Sequence, residues 1–199
     1  MPAPAKVALL YSSLSDAWTI NGNLAYGFDR MHTWIALAHA QMPVDILSEQ
    51  QVSTGALDSY AVCYLSGPNL TRTAADKLKQ WVQRGGTLWL TAGAASRDEF
   101  NRPLHVLDEL MPADRGEVVD LQKQVSSGRS LALLSARDEV HWDGRKADVL
   151  SVKQSLTVHA GAATLAMFKD KFPDDCTRHN RPRHDLLRRI PAGAGATPP

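Results

Sequence analysis

The stretch Thr73–Ala95, TAADKLKQWVQRGGTLWLTAGAA, decides the fold. Leu78, Trp81 and Val82 recur at helical spacing, which predicts a helix with one buried stripe. Thr71 or Thr73 can cap its start, and Asp76 in the first turn suits the helix dipole. Gly85 fits the position just past the helix, where a left-handed backbone meets no Cβ penalty. Thr87–Thr91, TLWLT, follows as a strand. The small-residue turn Thr91-Ala92-Gly93-Ala94-Ala95 comes next. In several α/β enzymes a nucleophile occupies the turn after such a strand. This turn holds no Cys and no Gly-x-Ser-x-Gly motif.

Upstream the same alternation repeats. Lys6–Tyr11, KVALLY, predicts a central parallel strand buried on both faces. Ser12–Asn23 reads as a polar loop containing Gly22. Tyr26–Ala40 reads as a helix in which Phe28, Met31, Ile35 and Ala38 form the apolar stripe, widened by Trp34 and Leu37. Pro43 ends that helix and opens the strand Val44–Leu47. Ser48–Leu57 is a short connection with some helical character, and Ala61–Leu65 is the third strand. Ser66-Gly67-Pro68-Asn69 turns at its carboxyl end. Strands alternating with helices imply a doubly wound, mainly parallel sheet with helices on both faces, a three-layer flavodoxin-like α/β fold.

Downstream the pattern weakens. Arg97–Leu110 reads as a helix interrupted by Pro103. Glu117–Gln122, Ser130–Leu134, Val149–Val152 and Thr164–Phe168 read as short strands, with Asp143-Gly144 a turn signal. Residues 1–170 are expected to form one domain. Residues 171–199, rich in Arg and His and ending in PAGAGATPP, are expected to be a disordered polar tail. A truncation, a shifted reading frame or a natural replacement would each give such an ending.

Composition removes several function classes. Formal net charge is +1, so no global field favours nucleic acid or a membrane surface. No apolar run approaches the ~20 residues of a membrane span, and the N-terminal stretch lacks a signal-peptide pattern. The compartment stays open. Cys63 reads as a small core residue. Cys176 with His179 and His184 lacks a second nearby Cys, and His32, His39 and His105 show no metal spacing, so no metal or cofactor is expected. Arg178, Arg181, Arg183, Arg188 and Arg189 read as a solvated tail without aromatic interleaving.

Four pieces carry a family resemblance: VALLYSS with the Trp-bearing loop after it, the Trp34 helix leading into MPVDIL, YAVCYLSGPNLT, and LKQWVQRGGTLWLTAGA. Together they resemble the class I glutamine amidotransferase-like superfamily. Within it they look most like the flavodoxin-like middle domain of glycoside hydrolase family 42 β-galactosidases. The resemblance is good over about the first 110 residues and loose to Lys169. Active amidotransferases place a Cys on the elbow and a His-x-Glu pair near the domain end. This chain has Ala92, Gly93 and Ala94 at the elbow and only the reversed Glu139-Val140-His141, so the resemblance implies no glutaminase activity. It implies instead a role in subunit assembly, with a homo-oligomer or other domains of a larger carbohydrate-related chain as partners.

The carboxyl ends of the strands are the usual ligand crevice of such a sheet. Ser12, Ser13, Asp16, Trp18, Ser66, Asn69, Thr91 and Arg97 are expected there. Trp for stacking with Asp, Asn and Arg for hydroxyls suits a carbohydrate, while ordinary loop polarity accounts for the same residues. Asp29 and Arg30 are expected at the surface, and Asp98 and Glu99 as helix-start acids. The alternative activity is a hydrolase using Asp16, Asp98 or Glu99 as acid or base. Trp34, Trp81 and Trp89 are expected to be buried. Trp18 and Trp142, in loops or edges, are expected near a contact surface.

Overall fold

The computed structural model describes residues 5–19, 25–120, 136, 138–150 and 152–169, with the backbone of 184–185. Val7–Tyr11 (β1) is followed by the helices Ser13–Thr19 (α1) and Ala25–His39 (α2), then the strand Val44–Ser48 (β2). Helix Glu49–Ser53 (α3) and a 3-10 turn at Ala56–Ser59 lead to Val62–Leu65 (β3). Helix Arg72–Gln83 (α4) then precedes Thr87–Leu90 (β4). The four strands form a parallel sheet in the order β2-β1-β3-β4. β2 lies on one side of β1 and β3 with β4 on the other. Right-handed crossovers therefore place α2 on the opposite face from α3 and α4. The expected α/β architecture is present.

Local chemistry explains the boundaries. Ser48 and Gln51 form a reciprocal capping box at α3. The Thr71 hydroxyl accepts from the Ala74 amide and starts α4. Gly85 ends α4 with φ of +104°. One sheet face carries Ala8, Leu10, Leu47, Cys63 and Leu65, which pack against Val52, Leu78 and Trp81 in the main core. A Cβ at Gly86 would stand 2.3 Å from ring atoms of the buried Trp81. Gly86→Ala is therefore expected to cost about 1–3 kcal/mol by overpacking, read from urea unfolding.

The other face differs from the sequence expectation. In α2 the inward residues are Tyr26, Arg30, Thr33 and Leu37, spaced i, i+4, i+7 and i+11 on one side. The stripe Phe28, Met31 and Trp34 points away from the sheet and is 39%, 44% and 43% exposed. Trp89 in β4 is also 37% exposed, its ring tilted against Tyr64 at 5.6 Å between centroids. Of the three tryptophans expected inside, only Trp81 is buried. The expected stripe therefore divides, with Leu37 inward and Phe28, Met31 and Trp34 outward, because which side of a helix meets the sheet is a tertiary matter.

Three other expectations need correction. Ser13–Thr19 is a helix, because the Ser12 hydroxyl caps it at the Ser15 amide. Arg97–Leu110 is a loop with a 3-10 turn only at Asp108–Leu110, since Pro103 and the Asp98 hydrogen bonds hold the chain open. The predicted strand Val149–Val152 straddles the break between two real ones. These strands belong to an antiparallel part: Ala113–Asp120 (β5), Asp138–Trp142 (β6), Arg145–Val149 (β7), Val152–Val158 (β8), Ala166–Phe168 (β9) and His184–Asp185 (β10). β5 pairs with β8, and the second sheet runs β10-β9-β6-β7. Asp143 and Gly144, both with positive φ, turn β6 into β7 as expected. The expected strand Ser130–Leu134 and most of the tail lie outside the described residues.

Candidate functional site

The carboxyl ends of β1, β3 and β4 hold most of the candidate residues, in separate roles. Ser12 and Ser15 both donate to the Asn69 carbonyl, at 2.8 and 2.9 Å. The Asn69 side chain donates to the Asp98 carbonyl and to Asn101 Oδ1. These contacts staple α1 to the turns after β3 and β4. Ser66 is buried and donates to the Tyr26 carbonyl at 3.3 Å. Ser13 lies apart, in a groove of about 390 Å³ with Tyr11, Ser48 and Glu49. Trp18 is half exposed on α1 and donates its Nε1–H to the Glu99 carbonyl at 3.2 Å. Arg97 is exposed and donates to the Asn101 carbonyl at 3.0 Å, so it braces its own loop.

The elbow after β4 is filled and its amides are engaged. Gly93 N–H donates to Gln154 Oε1 at 3.0 Å, Ala94 N–H to the Thr91 carbonyl, and Ala95 N–H to the Gly67 carbonyl. Arg115 of β5 donates to the Ala94 carbonyl at 2.7 Å and pairs with Asp108. A Cβ at Gly93 would meet Tyr26 Oη at 2.9 Å and Val118 at 3.3 Å. The β5–β8 ribbon is therefore latched onto the turn where a nucleophile would stand. Transition-state oxyanions need unengaged donors aimed at them, and these three amides are already bonded.

Asp98 is a buried structural anchor rather than a helix-start acid. It accepts from the amides of Phe100 and Arg102 at 3.0 and 2.8 Å and from Arg72 at 2.7 Å. Burial pushes its carboxyl up, but the amides of Arg102 and Phe100 and the Arg72 guanidinium outweigh that and hold it below the usual range. A carboxylate depressed in the folded state stabilises the fold above its unfolded pKa, and that stability is lost as pH falls through the folded value. Asp98→Asn should therefore flatten the loss of thermal midpoint below about pH 4, measured by calorimetry across an acid series.

Asp29 and Arg30 are not the surface residues that the sequence suggested. Asp29 sits against the hydroxyls of Thr91 and Ser66. Burial pushes its carboxyl up, and those hydroxyls with the charges of His32 and Arg30 offset this only in part. Arg30 reaches outward, pairing with Asp16 at 3.0 Å and stacking over the Tyr11 ring at 4.7 Å. The Thr91 hydroxyl and the Asp29 carboxyl thus serve each other, while Arg30 Nη1 is buried without a hydrogen-bond partner among the described residues. The sequence signal was present only as two charged residues on the i, i+4 side of Tyr26 and Thr33, opposite the apolar stripe.

The remaining candidates fall elsewhere. Glu139 and His141 lie on β6 and pair with each other at 3.1 Å. Lys146, His141 and Lys169 together hold the Glu139 carboxyl down to about 2. Cys63 is fully buried, and burial pushes its thiol up to about 12, which suits a core residue. Among the described residues no group of three or more His, Cys, Asp or Glu could hold a metal ion. No described helix is long and apolar enough to cross a membrane. Cys176 and His179 lie outside the described residues.

The strand order and the latched elbow define a doubly wound α/β domain carrying an antiparallel ribbon and sheet. The sequence matches no family model and no curated protein. Solved structures do share the fold. Gan42B, a GH42 beta-galactosidase from G. stearothermophilus, matches with a TM-score of 0.65 at 20% identity, over 85% of this chain and 24% of that one. The beta-galactosidase from Bacillus circulans sp. alkalophilus matches with a TM-score of 0.65 at 16% identity, over 84% of this chain and 25% of that one. The cold-adapted beta-galactosidase from Rahnella sp. R3 matches with a TM-score of 0.64 at 18% identity, over 85% and 25%. This chain thus spans about a quarter of the length of the enzymes it matches.

Proposed function

We propose that the chain is a non-catalytic assembly domain, of the kind found in GH42 β-galactosidases, working within a larger carbohydrate-related protein. Its place in the class I glutamine amidotransferase-like superfamily is part of the same proposal. The observation that carries it is the outward apolar stripe of α2. Phe28, Met31 and Trp34 are exposed along a helix about 22 Å long, and Gly27, Ile35 and Ala38 share that side. No Lys, Arg, Asp or Glu interrupts that side. Aromatic and Met enrichment with charge depletion marks the centre of protein interfaces. Such a face meets a copy of itself without charge conflict.

The elbow supports the non-catalytic half of the proposal. It has no nucleophile, its amides are bonded, and Tyr26 and Val118 occupy the space a side chain at position 93 would need. Multi-angle light scattering of the purified chain over a range of concentrations tests the assembly role. A concentration-dependent oligomer is expected, with no turnover of glutamine or of nitrophenyl galactosides. A monomer at every concentration would count against it.

A further inference from the structure

Glu49 carries a buried acceptor that the described residues leave unserved. The residue is 8% exposed, and its two carboxylate oxygens differ. Oε2 accepts from the Thr71 amide at 2.9 Å, while Oε1 is buried without a hydrogen-bond partner among the described residues. Buried polar groups in native proteins are nearly always bonded, and a buried carboxylate left half-satisfied is costly. Glu49 also lines a groove of about 390 Å³. That groove opens at the carboxyl ends of the parallel strands, where doubly wound folds bind ligands. Every strand of the sheet sends a residue to it: Tyr11 and Ser13 at the end of β1, Ser48 and Glu49 at the end of β2, Thr71 after β3 and Glu99 after β4.

Glu99 takes the next amide along, its Oε2 accepting from the Arg72 N–H at 3.1 Å. Two carboxylates therefore sit on consecutive amides at the start of α4. Helix capping accounts for both Oε2 contacts. It leaves Glu49 Oε1 unexplained, and it sets two like charges on one groove. The neighbouring cations are committed elsewhere. The Arg72 guanidinium pairs with Asp98 at 2.7 Å, and Arg30, stacked over the Tyr11 ring, pairs with Asp16 at 3.0 Å. Among the described residues no Lys or Arg lines the groove.

We propose that this groove binds a primary ammonium group, carried by a free amine or by the lysine side chain of another chain. An ammonium brings N–H donors to Glu49 Oε1 and a positive charge to both carboxylates. The exposed Ser13 hydroxyl adds a neutral acceptor. An anion would meet two charges of its own sign. A neutral sugar would supply donors but leave both charges uncompensated. A bare metal ion finds too few ligands, since no group of three or more His, Cys, Asp or Glu among the described residues could hold one. Helix α2 contributes no residue to the groove, so the site stands apart from the assembly role proposed for that helix.

Titration by NMR of the full chain at constant ionic strength tests the site. Ethylammonium and Nα-acetyl-lysinamide probe the two sources, with tetramethylammonium, galactose and inorganic phosphate beside them. The two ammonium probes are expected to shift the amides of Glu49, Thr71 and Arg72. Tetramethylammonium, which has no N–H, galactose and phosphate are expected to leave them unmoved. A preference of more than about tenfold for the lysine derivative assigns a side chain, and a smaller difference assigns a free amine. Glu49→Gln keeps an oxygen for the Thr71 amide, and with it the fold. It is expected to weaken ammonium binding by at least about tenfold, the loss of a charge-assisted hydrogen bond. Glu109→Gln removes an exposed carboxylate that does not line the groove and should leave binding unchanged. If neither ammonium probe shifts these amides in a folded wild-type chain, the proposal is overturned. An equal response to tetramethylammonium, galactose or phosphate overturns it as well, as does undiminished binding by folded Glu49→Gln.

Discussion

Lys153→Ala is expected to destabilise the fold by about 3–5 kcal/mol, because it strands the buried Asp138 carboxylate. Lys153 has no solvent exposure, and its ammonium pairs with Asp138, whose side chain is 2% exposed. The ammonium also lies 5.5 Å from the centre of the Phe168 ring. These contacts tie β8 to β6 and β9, joining the ribbon that latches the elbow to the neighbouring antiparallel sheet. Taking charge out of water is costly, so removing one partner leaves the other uncompensated. Lys146→Ala, which removes an exposed partner of Glu139, should do far less. Denaturant unfolding of the two variants beside the wild type checks both expectations. A Lys153→Ala chain as stable as the Lys146→Ala chain would show that the buried pair does not hold the antiparallel part in place.

If α2 is the assembly surface proposed above, Trp34→Glu weakens self-association by at least about thirtyfold, the effect of losing an interface hot spot worth about 2 kcal/mol. The same change should alter monomer stability by less than about 0.5 kcal/mol, because it falls on the exposed side of α2. The two effects separate the roles of this residue. Were Trp34 a core residue, as periodicity alone suggests, a buried glutamate would cost several kcal/mol and unfold the helix. Sedimentation velocity reads the association, and calorimetry reads the fold. A strongly lowered thermal midpoint would place Trp34 in the core after all.

Much of the parallel sheet is legible in the residues themselves. Thr71 caps α4, Gly85 ends it, and Leu78, Trp81 and Val82 share its buried side. Each of those features is local, with cause and consequence within a few residues. The outward turn of Trp34 and the half-open position of Trp89 are not local. They depend on what lies over the sheet face, which spacing along one element does not encode. The antiparallel part was harder still. β5 and β8 pair across a register shift between Arg115 and Val118, and irregular pairing of this sort leaves a weak alternation signal. The latch from Gln154 to Gly93 spans 61 residues of sequence. The burial of Asp29 is non-local in the same way. A charged residue near a helix start reads as solvated, and the Ser66 and Thr91 hydroxyls that meet its buried carboxyl come from turns distant in sequence.

The absence of a nucleophile at Ala92, Gly93 and Ala94 was plain from the sequence, but the closure of the elbow was not. Gly93 is held by Gln154, and its missing side chain is replaced in space by Tyr26 and Val118. The turn thereby joins the parallel and antiparallel parts of the chain.

The central claim is that α2 is the surface through which copies of this chain assemble. Amide hydrogen exchange at low and high protein concentration tests it most directly. Slower exchange in Phe28–His39 at high concentration, with the α4 amides unchanged, is the predicted result. Concentration-dependent protection that appears elsewhere and leaves α2 unaltered would contradict it.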